Sequence, residues 1–456
     1  KLFQYTWVSR KSKYFTEELY ESFARILKPS RHTIEKGVPI NLSPIQKELS
    51  ISVEKQKKRI KGVAGSGKSL VLAQRAVNAH KRTGGFVLIL TFNITLKNYL
   101  HDRISAVREE FDWAFFRICN YHEFIKSNMN NANISVKDLN LKTYDEKEFE
   151  DKIFSNLDLF EHCAEQLQKY EVILIDEAQD FKEKWIRMIV KYFANENAEI
   201  VAFADEKQNI YSRDLDSDKM PKIPVQVGAW DKRLNTSYRL SEKIATLAYS
   251  FQKHFFADKY DIENKIDTSY KPMLFDSKIE YHFVSLTESK SISKYIYEQI
   301  IKHKFNSNDI TILSSEINIL RELNEELQRI SKEKTNIMFE TQEEYECYKE
   351  TMSLDNIRKT RKTNFWMNRG TFKLSTIQSF KGWETPVLFL VINKNIKTNQ
   401  VLISGNENIK PTEFSDELIY TGMTRCKDSL FIINLNNKNY DDFFRNHPLV
   451  DITIDA

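Results

Sequence analysis

The sequence predicts an α/β protein of two domains, each built on a parallel sheet, and three observations carry that expectation. Short apolar runs alternate with longer helical patterns through both halves of the 456 residues. A glycine-rich loop, Gly62-Val63-Ala64-Gly65-Ser66-Gly67-Lys68-Ser69, opens a helical run in the first half. Further on, the apolar residues 172–175 run straight into Asp176-Glu177, the way a buried strand delivers two carboxylates to its C-terminal end.

Residues 86–92, 116–119, 172–175 and 200–204 read as buried strands, with helical spacing over 70–81 and 182–193 between them. Apolar strands alternating with helices imply a parallel sheet covered on both faces. The second half repeats the plan with strands expected at 281–286, 310–313, 373–376, 387–392 and 430–434, and no phosphate loop of its own. Residues 97–168, charged and Asn-rich, and 322–371, acidic at the start and strongly basic at the end, fit neither sheet and read as insertions. The domains are expected at 41–232 and 233–456, after an N-terminal extension over 1–40. Because the chain begins at Lys1 rather than Met, there is room for a further domain upstream.

Composition narrows the class. Hydrophobic content of 41% and charged content of 29% describe a globular chain, and a net charge of +4 neither requires nor excludes nucleic acid. Cys119, Cys163, Cys347 and Cys426 form no C-x-x-C pair, which argues for a reducing, cytoplasmic setting and against a zinc site or disulfide framework. No apolar run approaches the roughly 18 residues that span a bilayer, so no membrane partner is expected.

The loop's residues follow from a task. Backbone N–H groups must wrap a phosphate, so Gly62, Gly65 and Gly67 remove the Cβ atoms that tight curvature would crowd. Lys68 reaches phosphate oxygens, and the Ser69 hydroxyl with Asp176 can hold Mg2+. Glu177 can act as a base for water. Together these imply hydrolysis of a nucleoside triphosphate.

With these two elements placed, further short motifs fall in order, and the set resembles superfamily 1 DNA helicases and translocases of the UvrD/Rep/PcrA type. The resemblance runs from about residue 41 to about 435. It implies two RecA-like P-loop NTPase domains with short, mainly helical insertions, ATP and Mg2+ as cofactors, and single-stranded or partly single-stranded DNA as the track, followed 3′ to 5′. Leu42-Ser43-Pro44-Ile45-Gln46 resembles a motif in which Gln46 reads adenine; a capped helix start explains the same residues. In Ala204-Asp205-Glu206-Lys207-Gln208-Asn209-Ile210-Tyr211, Gln208 would sense the γ-phosphate or orient the attacking water. Ala204 and Arg213 stand where the family has glycine and a base-stacking Trp. From Leu234-Asn235-Thr236-Ser237-Tyr238-Arg239, Tyr238 would pack on adenine and Arg239 reach the γ-phosphate. Thr376-Ile377-Gln378-Ser379-Phe380-Lys381-Gly382-Trp383-Glu384 would place Gly382 and Glu384 at the nucleotide, with Glu384 on the ribose. Tyr420-Thr421-Gly422-Met423-Thr424-Arg425 supplies a second arginine finger.

The resemblance also implies DNA contacts. Thr91, Phe92 and Asn93 end one strand, and His122 and Phe124 follow the next; Phe92 is equally open to a buried aromatic cluster. Thr376 and Gln378 are expected on the DNA side. Arg358, Lys359, Arg361, Lys362, Arg369 and Lys373 surround Phe365 and Trp366 without an acid among them. That run suits a single-strand groove through Arg358, Arg361, Lys362 and Trp366, or a solvated face. The basic run at 55–61 is expected on the surface. Short insertions and Arg213 keep a second reading open, an ATP-gated DNA-binding subunit controlling a partner nuclease, in DNA repair or anti-phage defence.

Overall fold

In the computed structural model, the chain is described over residues 41–107, 109–135, 149–224, 229–262, 266–269, 277–284, 289–351, 353–393 and 415–453. The expected extension at 1–40 lies outside the described residues. The first sheet comprises β1 (Lys57–Gly62), β2 (Val87–Thr91), β3 (Phe116–Asn120), β4 (Tyr170–Ile175), β5 (Ala194–Ala204) and β6 (Asp231–Leu234), in the order β3-β2-β4-β5-β1-β6. Every pairing in it is parallel. A two-stranded ladder of β7 (Thr236–Ser237) and β8 (Asp267–Thr268) follows.

The second sheet holds β9 (Lys278–Val284), β10 (Ile310–Ser314), β11 (Thr335–Ile337), β12 (Phe372–Thr376), β13 (Thr385–Ile392), β14 (Cys426–Leu435) and β15 (Asp451–Thr453). Its order is β11-β12-β10-β13-β14-β9-β15, again parallel throughout. The two-sheet α/β architecture read from the sequence is therefore present. The central strands β2, β10 and β13 are buried along their whole length, which is why they read as unbroken apolar runs.

The strand that enters the phosphate loop is the instructive exception. β1 has the sequence Lys-Lys-Arg-Ile-Lys-Gly and lies between β5 and β6. Its charges are paired locally: Lys58 Nζ is 2.8 Å from Asp231 Oδ2, and the buried Lys61 Nζ is 2.8 Å from Glu206 Oε1. The Arg59 guanidinium lies 5.1 Å from the centre of the Trp230 ring. The basic run expected on the surface is thus a sheet strand, its cations offset by acids and an aromatic ring on neighbouring segments.

The helix Lys68–Thr83 buries Val71, Leu72, Ala76, Val77 and Ala79 and stops at Gly84, whose N–H reaches His80 O. Arg75, on that same helix, is buried against Glu199 of β5 at 2.5 Å. Breaking such a buried pair by removing one partner costs about 3–5 kcal/mol. The two segments expected as insertions each give their sheet an edge strand, β3 in the first and β11 in the second.

The sheets also share a core. Leu96, Tyr99 and Leu100 of the helix Leu96–Ser105 belong to one apolar cluster with Ile377, Phe380 and Trp383. At Gly382 (φ +91°) an added Cβ would stand 2.0 Å from Leu96 Cδ2, so the chain there must be glycine.

Candidate functional site

The loop between β1 and the helix Lys68–Thr83 has the shape of an anion cradle. Gly65 and Gly67 have φ of +76° and +84°, and a Cβ on Gly67 would meet Gln46 Nε2 at 2.5 Å. The Ser66 hydroxyl is buried without a hydrogen-bond partner, an orphan that a phosphate oxygen would satisfy. Lys68 Nζ donates to Gly62 O at 2.8 Å and Val63 O at 3.3 Å, and lies 3.6 Å from Asp205 Oδ2. Ser69 Oγ donates to Asp176 Oδ2 at 2.9 Å. A hydroxyl and a carboxylate oxygen beside a phosphate cradle are hard ligands of the kind Mg2+ takes alongside phosphate oxygens.

Asp176 and Glu177 end β4 in different electrostatic settings. Burial, and then the Glu177 charge beside it, raises the Asp176 pKa. Burial alone would raise Glu177 as well, but Lys381, Lys68 and Arg425 outweigh it and hold that carboxyl below its ordinary value. Glu177 is therefore the more readily ionised of the two. Its backbone is left-handed, with φ +49°, a conformation rare for a residue with a side chain. Gln179 Nε2 donates to Glu177 Oε2 at 2.6 Å.

Residues from the connections of the second sheet reach into this cluster. Arg425 Nη2 donates to Gln208 Oε1 at 2.7 Å, and Gln208 Nε2 donates to Asp205 Oδ2 at 2.8 Å. Burial, followed by the neighbouring Arg239 charge, brings the Arg425 pKa down to about 10, so it is still a cation at neutral pH. Lys381 Nζ, also buried, lies 2.7 and 2.8 Å from the Asp180 carboxylate oxygens, donates to Gln208 O at 2.8 Å and stands 3.9 Å from Glu177. Lys381, Asp180, Asp205 and Gln179 had no role in the sequence reading. The only signal was the presence of Asp205 and Lys381 inside quoted motifs and of Gln179 and Asp180 just beyond Asp176-Glu177.

The remaining nucleotide candidates surround the cradle. Arg239 Nε donates to Glu384 Oε2 at 2.8 Å, and Lys427 and Arg103 flank the same carboxylate at 3.0 and 3.4 Å. Burial opposes ionisation of Glu384, but these three cations drive its pKa well below the ordinary value. Tyr238 is exposed and its N–H donates to Gly65 O at 2.9 Å, which leaves a ring available at the cradle's rim. Gln46 Oε1 accepts from Ser43 N at 2.9 Å and its Nε2 donates to Ser66 O at 3.0 Å. That amide both caps its own short helix and braces the loop.

The candidate DNA residues divide. Asn93 Nδ2 reaches Gln378 O at 2.9 Å and Ser379 O at 3.2 Å, and Thr95 Oγ1 reaches Ser379 O at 2.8 Å, clasping the two sheets together. Thr91 is fully buried, Thr376 caps the helix Ile377–Phe380, and Gln378 is half-buried. Phe124 lies in the core, 4.6 Å from the Phe193 ring, so stacking from it is corrected to packing. Phe92 joins a buried aromatic cluster, 5.9 Å from Trp185 and 4.7 Å from Tyr211. His122, half-buried, sits 4.5 Å from Phe154, and burial lowers its pKa to about 4.

The basic run from 358 is re-sorted too. Arg358 is buried and bound to Glu340 at 2.5 and 2.7 Å, with Arg321 on the same carboxylate at 2.6 Å. Arg358 is thus one member of an internal triad with Glu340 and Arg321, and the groove reading is corrected for it. Arg361 bonds Glu344 at 2.9 Å, Lys362 is half-buried, and Trp366 O accepts from Asn336 Nδ2 at 3.1 Å. A cleft of about 430 Å3 beside Arg361 and Arg369 lies on this side of the second sheet.

Residues 56–306 match the family described as Schlafen group 3, DNA/RNA helicase domain. That span is more than half of the chain, and the chain belongs to this family. The two parallel sheets and the phosphate loop agree with a helicase-like fold. No curated protein matches it significantly. Similar solved structures include the arterivirus nonstructural protein 10 helicase in complex with DNA, at 9% identity and a TM-score of 0.36 over 87% of this chain and 64% of that one. The PRRSV helicase is similar at 9% identity and a TM-score of 0.36, over 84% of this chain and 53% of that one. The chain thus spans under two thirds of the length of these distantly similar proteins. Among the described residues no helix is long and apolar enough to cross a membrane.

Proposed function

We propose that the chain is an ATP- and Mg2+-dependent motor on single-stranded DNA, of the UvrD/Rep/PcrA type, moving 3′ to 5′. The observation that carries this is the placing of Arg425, from the turn that leads into β14 of the second sheet, 2.7 Å from Gln208 beside the phosphate loop of the first. A site made by both sheets couples each turnover to their relative position.

In this reading Gly62, Gly65, Gly67 and Lys68 hold the phosphates, and Ser69 and Asp176 hold Mg2+, which supplies positive charge to the phosphate oxygens. Glu177, the more readily ionised of the two carboxyls, accepts the proton of the attacking water oriented by Gln208. Arg239 and Arg425 stabilise the charge that spreads over the γ-phosphoryl oxygens, a contribution of about 10³–10⁵ in rate for such arginines. Arg239 reaches the phosphate by leaving Glu384, which turns to the ribose. Tyr238 stacks on adenine, and Gln46 reads its edge by releasing one of its two present bonds. Gly382 lets the second sheet approach closely enough for this.

A second reading, an ATP-gated DNA-binding switch controlling a partner nuclease in DNA repair or anti-phage defence, is favoured by Arg213 standing against the buried Phe92 and Trp185. Displacement of streptavidin from 3′- or 5′-biotinylated single strands, with strand separation measured alongside, divides the two. ATP-driven release from the 5′ end supports the 3′ to 5′ motor. Tight ATP-dependent binding without displacement from either end supports the switch.

A further inference from the structure

The charged strand that enters the phosphate loop has a partner beside the candidate reaction centre. In the ladder Lys61 of β1 stands opposite Ala204, the last residue of β5. From Ala204 the chain passes through Asp205 into the short turn Glu206–Gln208. Lys61 Nζ lies 2.8 Å from Glu206 Oε1, and Lys207 Nζ lies 3.1 Å from the same oxygen. All three side chains are 5% exposed or less. Taking a lysine out of water into a sheet is costly, and a close ion pair offsets that cost. Burial alone would raise the Glu206 pKa, but Lys207 and then Lys61 outweigh it and hold the carboxyl below its ordinary value.

Asp205 and Glu206, adjacent in the chain, tie this turn to two different parts of the first domain. Asp205 Oδ2 accepts from Gln208 Nε2 at 2.8 Å and stands 3.6 Å from Lys68 Nζ of the phosphate loop. Glu206 instead joins the turn to β1, one residue before Gly62 opens that loop. The second domain meets the turn at Gln208 itself, through Arg425 Nη2 at 2.7 Å and Lys381 Nζ at 2.8 Å. The two anchors differ in what nucleotide does to them. When Lys68 turns to a phosphate, Asp205 loses it, whereas Lys61 is fixed in the sheet and keeps Glu206.

We propose that Glu206, held by Lys61 and Lys207, is the positioning residue that keeps Gln208 placed against the phosphate loop once nucleotide is bound. The inference rests on the reading of the chain as an ATP hydrolase. Glu206 touches no reacting atom and acts through Gln208. A displacement of about 1 Å in a reacting geometry costs about 10²-fold in rate. Loss of the Glu206 charge should therefore appear in kcat, with KM and nucleotide affinity held.

The test is steady-state ATP hydrolysis, with and without single-stranded DNA, by wild type, Glu206→Gln, Lys61→Met and the double variant. A fluorescent ATP analogue is titrated alongside for affinity and for the number of sites, with thermal melting as the control for folding. Glu206→Gln is expected to lower kcat by about 10–10²-fold, with KM and analogue affinity within about threefold of wild type. Lys61→Met leaves Glu206 with Lys207 and is expected to lower kcat less. In the double variant the loss should stay within about twofold of that in Glu206→Gln, because residues in one contact do not add independently. Three results overturn the proposal: Glu206→Gln turning over within about twofold of wild type, a loss matched by fewer analogue sites or weaker affinity, or losses that multiply in the double variant. If Glu206→Gln fails to fold, Lys61→Met decides, and an unchanged kcat there overturns the proposal. Wild-type protein that hydrolyses no ATP overturns the hydrolase reading as well, whereas wild-type hydrolysis that Glu206→Gln leaves intact overturns only the role of Glu206.

Discussion

At the candidate nucleotide cradle, charges are buried and interlocked across two sheets; on the face of the first domain around Trp185, cations at or near the surface lie over buried aromatic groups. Lys381, Asp180, Gln208 and Arg425 form a chain of contacts in which each partner depends on the other domain's position. Lys126, Lys182 and Arg213 instead stand over a ring cluster belonging to one domain. Buried charge gives geometric precision, because an unpaired partner is costly. Charge held over a base of packed rings gives attraction with less geometric precision.

The contrast fixes an order of effects. Arg425→Ala is expected to lower kcat by about 10³–10⁵ with a smaller change in KM, measured by steady-state ATP hydrolysis. A fall in nucleotide affinity alone would place Arg425 among merely structural groups. Glu177→Gln should cost about 10²–10⁴ in turnover, the range of a general base, while a fluorescent ATP analogue still binds. Normal turnover in that variant removes Glu177 from the role.

Next comes the internal triad. Glu340→Ala leaves Arg321 and Arg358 buried without their carboxylate and should destabilise the fold by about 3–5 kcal/mol, read by urea unfolding. A neutral result would mean that Arg358 is free to leave the interior and serve a groove. The smallest effect concerns Lys373, which is fully buried with its pKa lowered by burial to about 7. Between pH 7 and about 10 the unfolded chain holds this proton and the folded one does not, so stability should rise with pH in that window, by less than about 1.4 kcal/mol per unit. Lys373→Met should flatten the rise.

The same contrast explains what was legible in the amino-acid sequence. The phosphate loop and the Asp176-Glu177 strand were legible because their chemistry demands particular residues at fixed spacing. The sheets were legible where both faces are buried, as in β2 and β13. β1 was hidden because Lys58 and Lys61 are neutralised by Asp231 and Glu206, distant in sequence. Arg358 looked like surface charge because Glu340 lies 18 residues before it. Phe124 looked like a stacking ring because one aromatic residue carries no mark of the face it takes. Lys126 and Lys182 carried no signal, since only the fold sets them over Phe154 and Trp185.

The most direct measurement is ATP hydrolysis by the wild-type chain alone and with single-stranded DNA, RNA or duplex DNA. A site shared by two domains that clasp one strand predicts strong stimulation by single-stranded DNA and little by duplex. Hydrolysis indifferent to every nucleic acid would contradict the coupling of site to track.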